Sequence, residues 1–174
     1  MATASLTSVD EYVHQYIEAG KKPACEYVDG LLVPKGMGNR KHSRLQRRLL
    51  ELLQAYSEFE AFPELHAKLR ETEFRIPDIA VERKPVAESF YPTRTVYLCI
   101  EILSPDQTLG QMLEKCEHYH AWGTPYCWVI DPERQTAWQY DRGGEPKARH
   151  HVSDLLTADE IQIAVAEIFQ VLAE

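Results

Sequence analysis

The sequence lacks any apolar run long enough to cross a bilayer. Stretches such as Val96 to Ile100 and Tyr126 to Ile130 fall far short of the roughly 20 residues a span requires. Met1 to Leu6 has neither a basic start nor an apolar signal core, so a cytoplasmic protein is expected. Cysteine is scarce and unpatterned. Cys25, Cys99, Cys116 and Cys127 contain no C-x-x-C pair, and three of them sit in apolar runs, which points to buried free thiols rather than a disulfide framework or a metal cluster. No glycine-rich phosphate loop, zinc-ligand spacing, linker, repeat or low-complexity tract is present. What remains is 174 residues, 44% hydrophobic and 26% charged, which suits one folded domain with a full core.

Charge is unevenly spread. Nineteen Lys and Arg against 27 Asp and Glu leave a net charge of -8, which argues against a protein that binds nucleic acid over its whole surface. Between Leu31 and Leu50, however, no acid occurs, while Lys35, Arg40, Lys41, Arg44, Arg47 and Arg48 supply six positive charges. One patch is therefore basic on an acidic chain.

Local patterns predict a single α/β domain with a mixed central sheet flanked by helices. Ser8 with Glu11 has the form of a capping box and predicts a helix ending at Gly20. Asp29-Gly30, between two apolar stretches, predicts a hairpin over Cys25 to Val33 with a type I′ turn, and Glu26 lies on its first strand. Leu45, Leu49, Leu52, Leu53 and Tyr56 recur at helical spacing and predict a helix over His42 to Tyr56 with a basic flank. Phe74 to Glu82, Val96 to Leu103, Tyr126 to Ile130 and Thr136 to Tyr140 read as strands, with a helix over Thr108 to Trp122. Strand, helix, strand over Val96 to Ile130 is a βαβ-like crossover, so part of the sheet is expected to be parallel. A Thr157-x-x-Glu160 box and the spacing of Ile161, Val165, Ile168, Phe169 and Leu172 predict a C-terminal helix.

Two carboxylates break this apolar pattern. Glu101 interrupts the run Val96 to Leu103, where an ionised acid costs several kcal/mol unless a cation or donors meet it. Asp78 stands in the same position on the preceding strand, after a proline that disturbs the ladder. On adjacent strands the two acids can converge; alternatively each ends a strand or pairs with an arginine. Lys115 shares a helical stripe with Tyr119 and Trp122, so it is expected to point at the sheet rather than toward Glu114 and Glu117. His42 falls near the apolar face of its helix, either at the edge of such a site or as a hydrogen-bonded core residue. His118 and His120, two apart on a helix, diverge and do not chelate one ion.

Pro77-Asp78, Glu101-Ile102-Leu103-Ser104-Pro105, Lys115, Tyr119, Gly123, Tyr126, Trp128 and Asp131-Pro132 together resemble the Uma-type family of putative restriction endonucleases, within the PD-(D/E)XK nuclease superfamily. Cys25 to Gly30, His42 and the apolar tail near Phe169 are also similar to that pattern. The resemblance implies a restriction-endonuclease-like fold over 1–174, with an N-terminal helix and hairpin in 1–35, a nuclease core in 36–145 and a C-terminal helical tail in 146–174. It implies Mg2+ or Mn2+ held by Asp78, Glu101 and the carbonyl of Ile102, with Glu26 a further acid at the site and no organic cofactor. The third motif position is apolar here, Leu103, and the resemblance implies that Lys115 brings its ammonium to that place. DNA is the implied substrate, with Arg40, Lys41, Arg44 and Arg48 positioning phosphates. Cleavage of both strands would favour a homodimer, for which the aromatic hairpin around Trp138 and Tyr140 offers a surface. Two other readings remain open: a binding or regulatory module that kept the fold without turnover, and a phosphohydrolase acting on small nucleotides.

Overall fold

In the computed structural model, which describes residues 6–36 and 38–173, the chain opens with one helical turn, α1 (Val9–Tyr12), that widens into a π-helical turn over Val13–Glu18. Most of the Met1 to Leu6 stretch thus lies outside the described residues. Ser8 Oγ accepts the N–H of Glu11 at 3.2 Å, the expected cap. Glu11 does not reach back to complete the box; its carboxylate accepts from Gln15 at 2.9 Å. The single α-helix expected to Gly20 is therefore two short turns, in which Tyr12 stacks on Tyr16 above Cys25, Tyr27 and Phe74. Gly20 stops the segment at φ +62°, a value glycine adopts without steric cost.

The hairpin β1 (Cys25–Val28) and β2 (Leu31–Pro34) turns through Asp29 at φ +48° and Gly30 at φ +90°, the pair of positive angles a type I′ turn requires. The helix α2 (Arg40–Leu53) is capped by Asn39, whose Oδ1 accepts the N–H of His42 at 3.1 Å. Two strands follow that the sequence pattern did not mark, β3 (Phe59–Pro63) and β4 (Ala67–Arg70). Both are only four or five residues long and carry charged residues, so the alternation in each is too brief to mark a strand by itself.

The single strand expected over Phe74 to Glu82 is two, β5 (Glu73–Arg75) and β6 (Ile79–Arg83), and they belong to different sheets. Side chains and loops, instead of ladder partners, satisfy the backbone between them. The N–H of Ile76 donates to Glu26 at 2.8 Å, and the carbonyl of Ile76 accepts from Lys35 at 2.7 Å. The carbonyl of Asp78 accepts from Glu64 N–H at 3.1 Å and Gln46 Nε2 at 2.9 Å. Pro77, with no N–H, suits a gap between sheets.

The remaining elements are β7 (Leu98–Ile102), α3 (Leu109–Trp122), β8 (Tyr126–Asp131), β9 (Thr136–Asp141), β10 (Lys147–Arg149), β11 (Leu155–Ala158), β12 (Ile161–Ala164), α4 (Val165–Phe169) and a 3-10 turn, Gln170–Leu172. Among the described residues a mixed sheet runs β10-β9-β8-β7-β6-β3, antiparallel except for β7 beside β8. That parallel pair, bridged by α3, is the expected crossover. An antiparallel sheet runs β2-β1-β5-β4, and β11 pairs with β12.

Strand alternation sorts the core into two faces. Leu98, Ile100 and Ile102, with Ile79, Val81, Trp128 and Ile130, meet Leu45, Leu49 and Leu53 of α2 and the C-terminal segment. Cys99 and Leu103, with Ala80, Cys127 and Val129, meet Met112, Cys116 and Tyr119 of α3. Burial of each large apolar side chain contributes about 1.5–3 kcal/mol, so both helices are held by area rather than by polar contacts. All four cysteines are buried free thiols, as expected. No helix among the described residues is long and apolar enough to cross a membrane.

The C-terminal segment departs from its expected helical form. Thr157 to Glu160 is part of a hairpin, not a cap: Asp159 turns at φ +48°, and Ile161 and Ile163 are buried while Gln162 is exposed, a period of two. Tertiary bonds fix that choice, since Gln139 Oε1 accepts Thr157 N–H at 3.0 Å and the Trp128 indole donates to Thr157 O at 3.3 Å. Only Val165–Phe169 and the 3-10 turn wind as expected. Trp138 and Tyr140 pack partly buried against the α3-side core, Tyr140 edge-on to His120, so they are engaged within the chain.

Candidate active site

Glu101 sits at the fourth position of β7, facing the same side as Cys99 and Leu103, and so points at α3. Lys115, one turn before Tyr119 on α3, faces it as the helical stripe predicted: Lys115 Nζ lies 2.9 Å from Glu101 Oε1 and 2.6 Å from Glu26 Oε1. The Tyr119 hydroxyl donates to Glu101 Oε1 at 2.7 Å. All four side chains are buried, Lys115 at 8% exposure and Glu101 at 2%.

Asp78, at the gap before β6, adds a second carboxylate. Its Oδ2 accepts the N–H of Ile102 at 2.6 Å, tying it to the end of β7, and its Oδ1 lies 2.8 Å from Lys35 Nζ and 3.4 Å from His42 Nε2. Lys35 and Lys115 both donate to the Ile76 carbonyl, at 2.7 and 3.4 Å. Arg75 donates to Glu26 at 3.1 Å and to Glu73 at 2.7 Å, and His118 meets Glu73 at 2.9 Å. Of these groups Glu26, Lys35, Arg75, Asp78, Glu101, Lys115 and His118 line a cavity of about 370 Å³ between β2, the gap before β6 and α3.

The geometry decides the charge states. Burial pushes the Asp78 carboxyl up, but His42 and Lys35 beside it hold it well below the usual carboxylate range. Burial pushes Glu26 up as well; Lys115, the Ile76 N–H and Arg75 overcome it, and Glu26 is lowered. For Glu101 burial prevails, aided by the charge of Asp78 and opposed by Lys115, and its carboxyl is raised. Burial alone would lower Lys115, yet Glu101 and Glu26 raise it above an ordinary lysine, so it is an ammonium. Burial and Glu101 push the Tyr119 phenol up, leaving it a donor.

The structure thus brings Glu26, His42, Asp78, Glu101, Ile102 and Lys115 together. Leu103, two residues after Glu101, lies in the apolar cluster under α3. The four α2 residues expected to position phosphates divide. Lys41 pairs with Glu133 at 2.7 Å, and Arg48 donates to the Glu167 carbonyl at 3.0 Å on the far side of the sheet. Arg40 and Arg44 are exposed. Lys35, Tyr119 and Gln46 are site residues whose roles local pattern did not assign. One signal for Lys35 was present: Glu26 pairs with Val33 across the hairpin, and Lys35, two residues on, falls on the same side of that strand.

A divalent ion suits the donor chemistry in one arrangement. Mg2+ and Mn2+ accept hard oxygens and keep several waters, so Asp78, Glu101 and the Ile102 carbonyl form a sufficient set. Among the described residues no group of three or more His, Cys, Asp or Glu is arranged to hold a metal. The Lys35 ammonium rests there on Asp78 Oδ1 and the Ile76 carbonyl.

Comparison with known proteins agrees with this architecture. The family model "Uma2: Putative restriction endonuclease" matches residues 9–167. A crystal structure of a putative nuclease belonging to DUF820 from Anabaena variabilis ATCC 29413 superposes with a TM-score of 0.81 at 26% identity, covering 95% of this chain and 99% of that one. A cryo-EM structure of a DrdV–DNA complex is far more distant, with a TM-score of 0.38 and 12% identity over 77% of this chain and 13% of that one. No curated protein matches the sequence. The chain belongs to the Uma2 family of putative restriction endonucleases.

Proposed function

We propose, from that membership and from the site, that the protein is a metal-dependent endonuclease-like enzyme that hydrolyses phosphodiester bonds in DNA. The observation that carries the reading is the meeting of Asp78 and Glu101 with the Lys115 ammonium at the end of β7. Asp78, Glu101 and the Ile102 carbonyl would hold Mg2+ or Mn2+, which when bound polarises the scissile phosphate and lowers the pKa of an attacking water.

The chain's own groups do the rest. Lys115 fixes the Glu101 carboxylate and presents an oriented ammonium to negative charge that builds on the phosphate oxygens. Glu26 and the Ile76 carbonyl hold that ammonium in place. Tyr119 donates to the same Glu101 oxygen and fixes its rotamer. His42 and the Ile102 N–H do the same for Asp78. Exposed Arg40 and Arg44, on the helix that begins beside the site, are the best placed of the α2 cations for the phosphate backbone, since Lys41 and Arg48 already have partners. Cleavage of both strands would call for a second copy of the chain.

One observation favours the module without turnover: each of the three buried acids of the cavity already has a cation, Asp78 with Lys35, Glu101 with Lys115, and Glu26 with Lys115 and Arg75. Nicking of supercoiled plasmid in Mg2+ or Mn2+ separates the two. The enzyme reading expects nicking by wild type and its loss in Glu101→Ala. Equal products from both, or none from wild type in either metal, would favour the module.

A further inference from the structure

Lys35 stands apart from the other cations of the cavity. It leaves the end of β2, its side chain is 11% exposed, and its ammonium lies 2.8 Å from Asp78 Oδ1 and 2.7 Å from the Ile76 carbonyl. Arg75 is shared between Glu26 and Glu73, and Lys115 bridges Glu26 and Glu101. Removal of either would strip a partner from two buried acids. Lys35 serves one carboxylate. Asp78 keeps the Ile102 N–H at 2.6 Å and His42 at 3.4 Å when Lys35 withdraws. Lys35 is therefore the cation whose departure takes a partner from one buried acid only, and that acid keeps two others.

It also stands where a divalent ion would have to be. A metal bonded to Asp78 Oδ1 would sit about 2.0 to 2.1 Å from an oxygen that already has an ammonium nitrogen at hydrogen-bond distance. Two positive centres so close, in a buried pocket, repel strongly. A lysine carries its charge on a flexible four-carbon stem and can swing away without moving its backbone.

We propose that Lys35 is a built-in competitor for the metal: its ammonium and the divalent ion occupy Asp78 in turn. The inference rests on the metal-dependent reading above and adds to it a regulation of the same site. Metal affinity is then set by how often Lys35 leaves. An apparent dissociation constant equals the intrinsic one divided by the competent fraction, so a lysine bound to Asp78 in about nine molecules of ten weakens metal binding about tenfold.

Calorimetric titration of the full chain with MnCl2, without nucleic acid, tests this. Lys35→Met is expected to bind Mn2+ about tenfold or more tightly than wild type, and Lys35→Arg, which keeps the charge, no more tightly than wild type. Lys35→Gln, which retains a donor for Asp78, is expected to tighten binding like Lys35→Met and covers the case in which the Met variant fails to fold. If wild type binds Mn2+, Asp78→Asn abolishes it, and the neutral variants bind no more tightly than wild type, the competition is refuted while the metal site stands. If wild type and both neutral variants leave Mn2+ unbound, the metal reading falls and the competition with it.

Discussion

Lys115→Met removes one charge and keeps most of the stem, so it isolates what the ammonium contributes to the fold. In the native protein Nζ bridges Glu26 and Glu101 at 2.6 and 2.9 Å. After the substitution Glu26 retains Arg75, whereas Glu101, 2% exposed, is left with the Tyr119 hydroxyl alone. Breaking a buried pair on one side costs about 3–5 kcal/mol. A second route gives a similar figure. The orphaned acid escapes by taking a proton, and from an ordinary carboxyl near 4.5 that costs at pH 7 about 2.5 units at 1.36 kcal/mol each, or roughly 3.4 kcal/mol. The second route also fixes the pH dependence. In the variant the folded Glu101 pKa is raised further, so stability is fully present below the unfolded value near 4.5 and is lost as pH rises toward the folded value. Urea unfolding followed by circular dichroism should show a deficit of about 3 kcal/mol at pH 7 that shrinks to about 1 kcal/mol at pH 5. Lys115→Met combined with Glu101→Gln should recover part of the loss at pH 7. A deficit below about 1 kcal/mol at pH 7, or one that is the same at pH 5, would refute the electrostatic account. Because domains of this kind hold only about 5–15 kcal/mol in all, activity of Lys115 variants has to be compared at equal folded fraction.

Two further perturbations probe the surrounding network. Burial pushes Glu73 up, but Arg70 at 2.8 Å and Arg75 at 2.7 Å lower its carboxyl, so the stability it contributes is present above about 4.5 and lost as pH falls through the lowered folded value. Melting curves between pH 6 and pH 3 should therefore fall less steeply in Glu73→Gln than in wild type, and parallel acid limbs would count against that assignment. Tyr119→Phe deletes a 2.7 Å bond to a buried carboxylate and should lower stability by about 1.5–3 kcal/mol in chemical unfolding; a change under about 0.5 kcal/mol would mean the hydroxyl does not hold Glu101.

Local sequence determined those features that local physics controls. Asp29-Gly30 specified its turn because few other residue pairs adopt two positive φ angles at low cost. The stripe of Leu45, Leu49 and Leu53 specified α2, and Thr108 with Gln111 specified the start of α3 through a reciprocal cap. The continuous apolar run around Glu101 marked a buried parallel strand, and the single acid in it marked a site, since such a charge is tolerated only where something meets it. The stripe Lys115, Tyr119, Trp122 showed which way the lysine faces.

Only the tertiary structure decided how the acids are neutralised. Lys35 and Asp78 are 43 residues apart, and Glu26 lies on β1 while Lys115 lies on α3, so no local window contains either pair. The break at Ile76 to Asp78 has the same origin. Extended chain is locally favourable through Phe74 to Glu82, and it is Glu26, Lys35, Gln46 and Glu64, all distant in sequence, that take the backbone groups a ladder would have used. At the C-terminus, Ile161, Ile163 and Val165 fit a period of two as well as Ile161, Val165 and Ile168 fit a helix. Contacts from Trp128 and Gln139 on neighbouring strands tip that balance toward the hairpin, because backbone hydrogen bonding is equally satisfied either way and burial against the sheet is not.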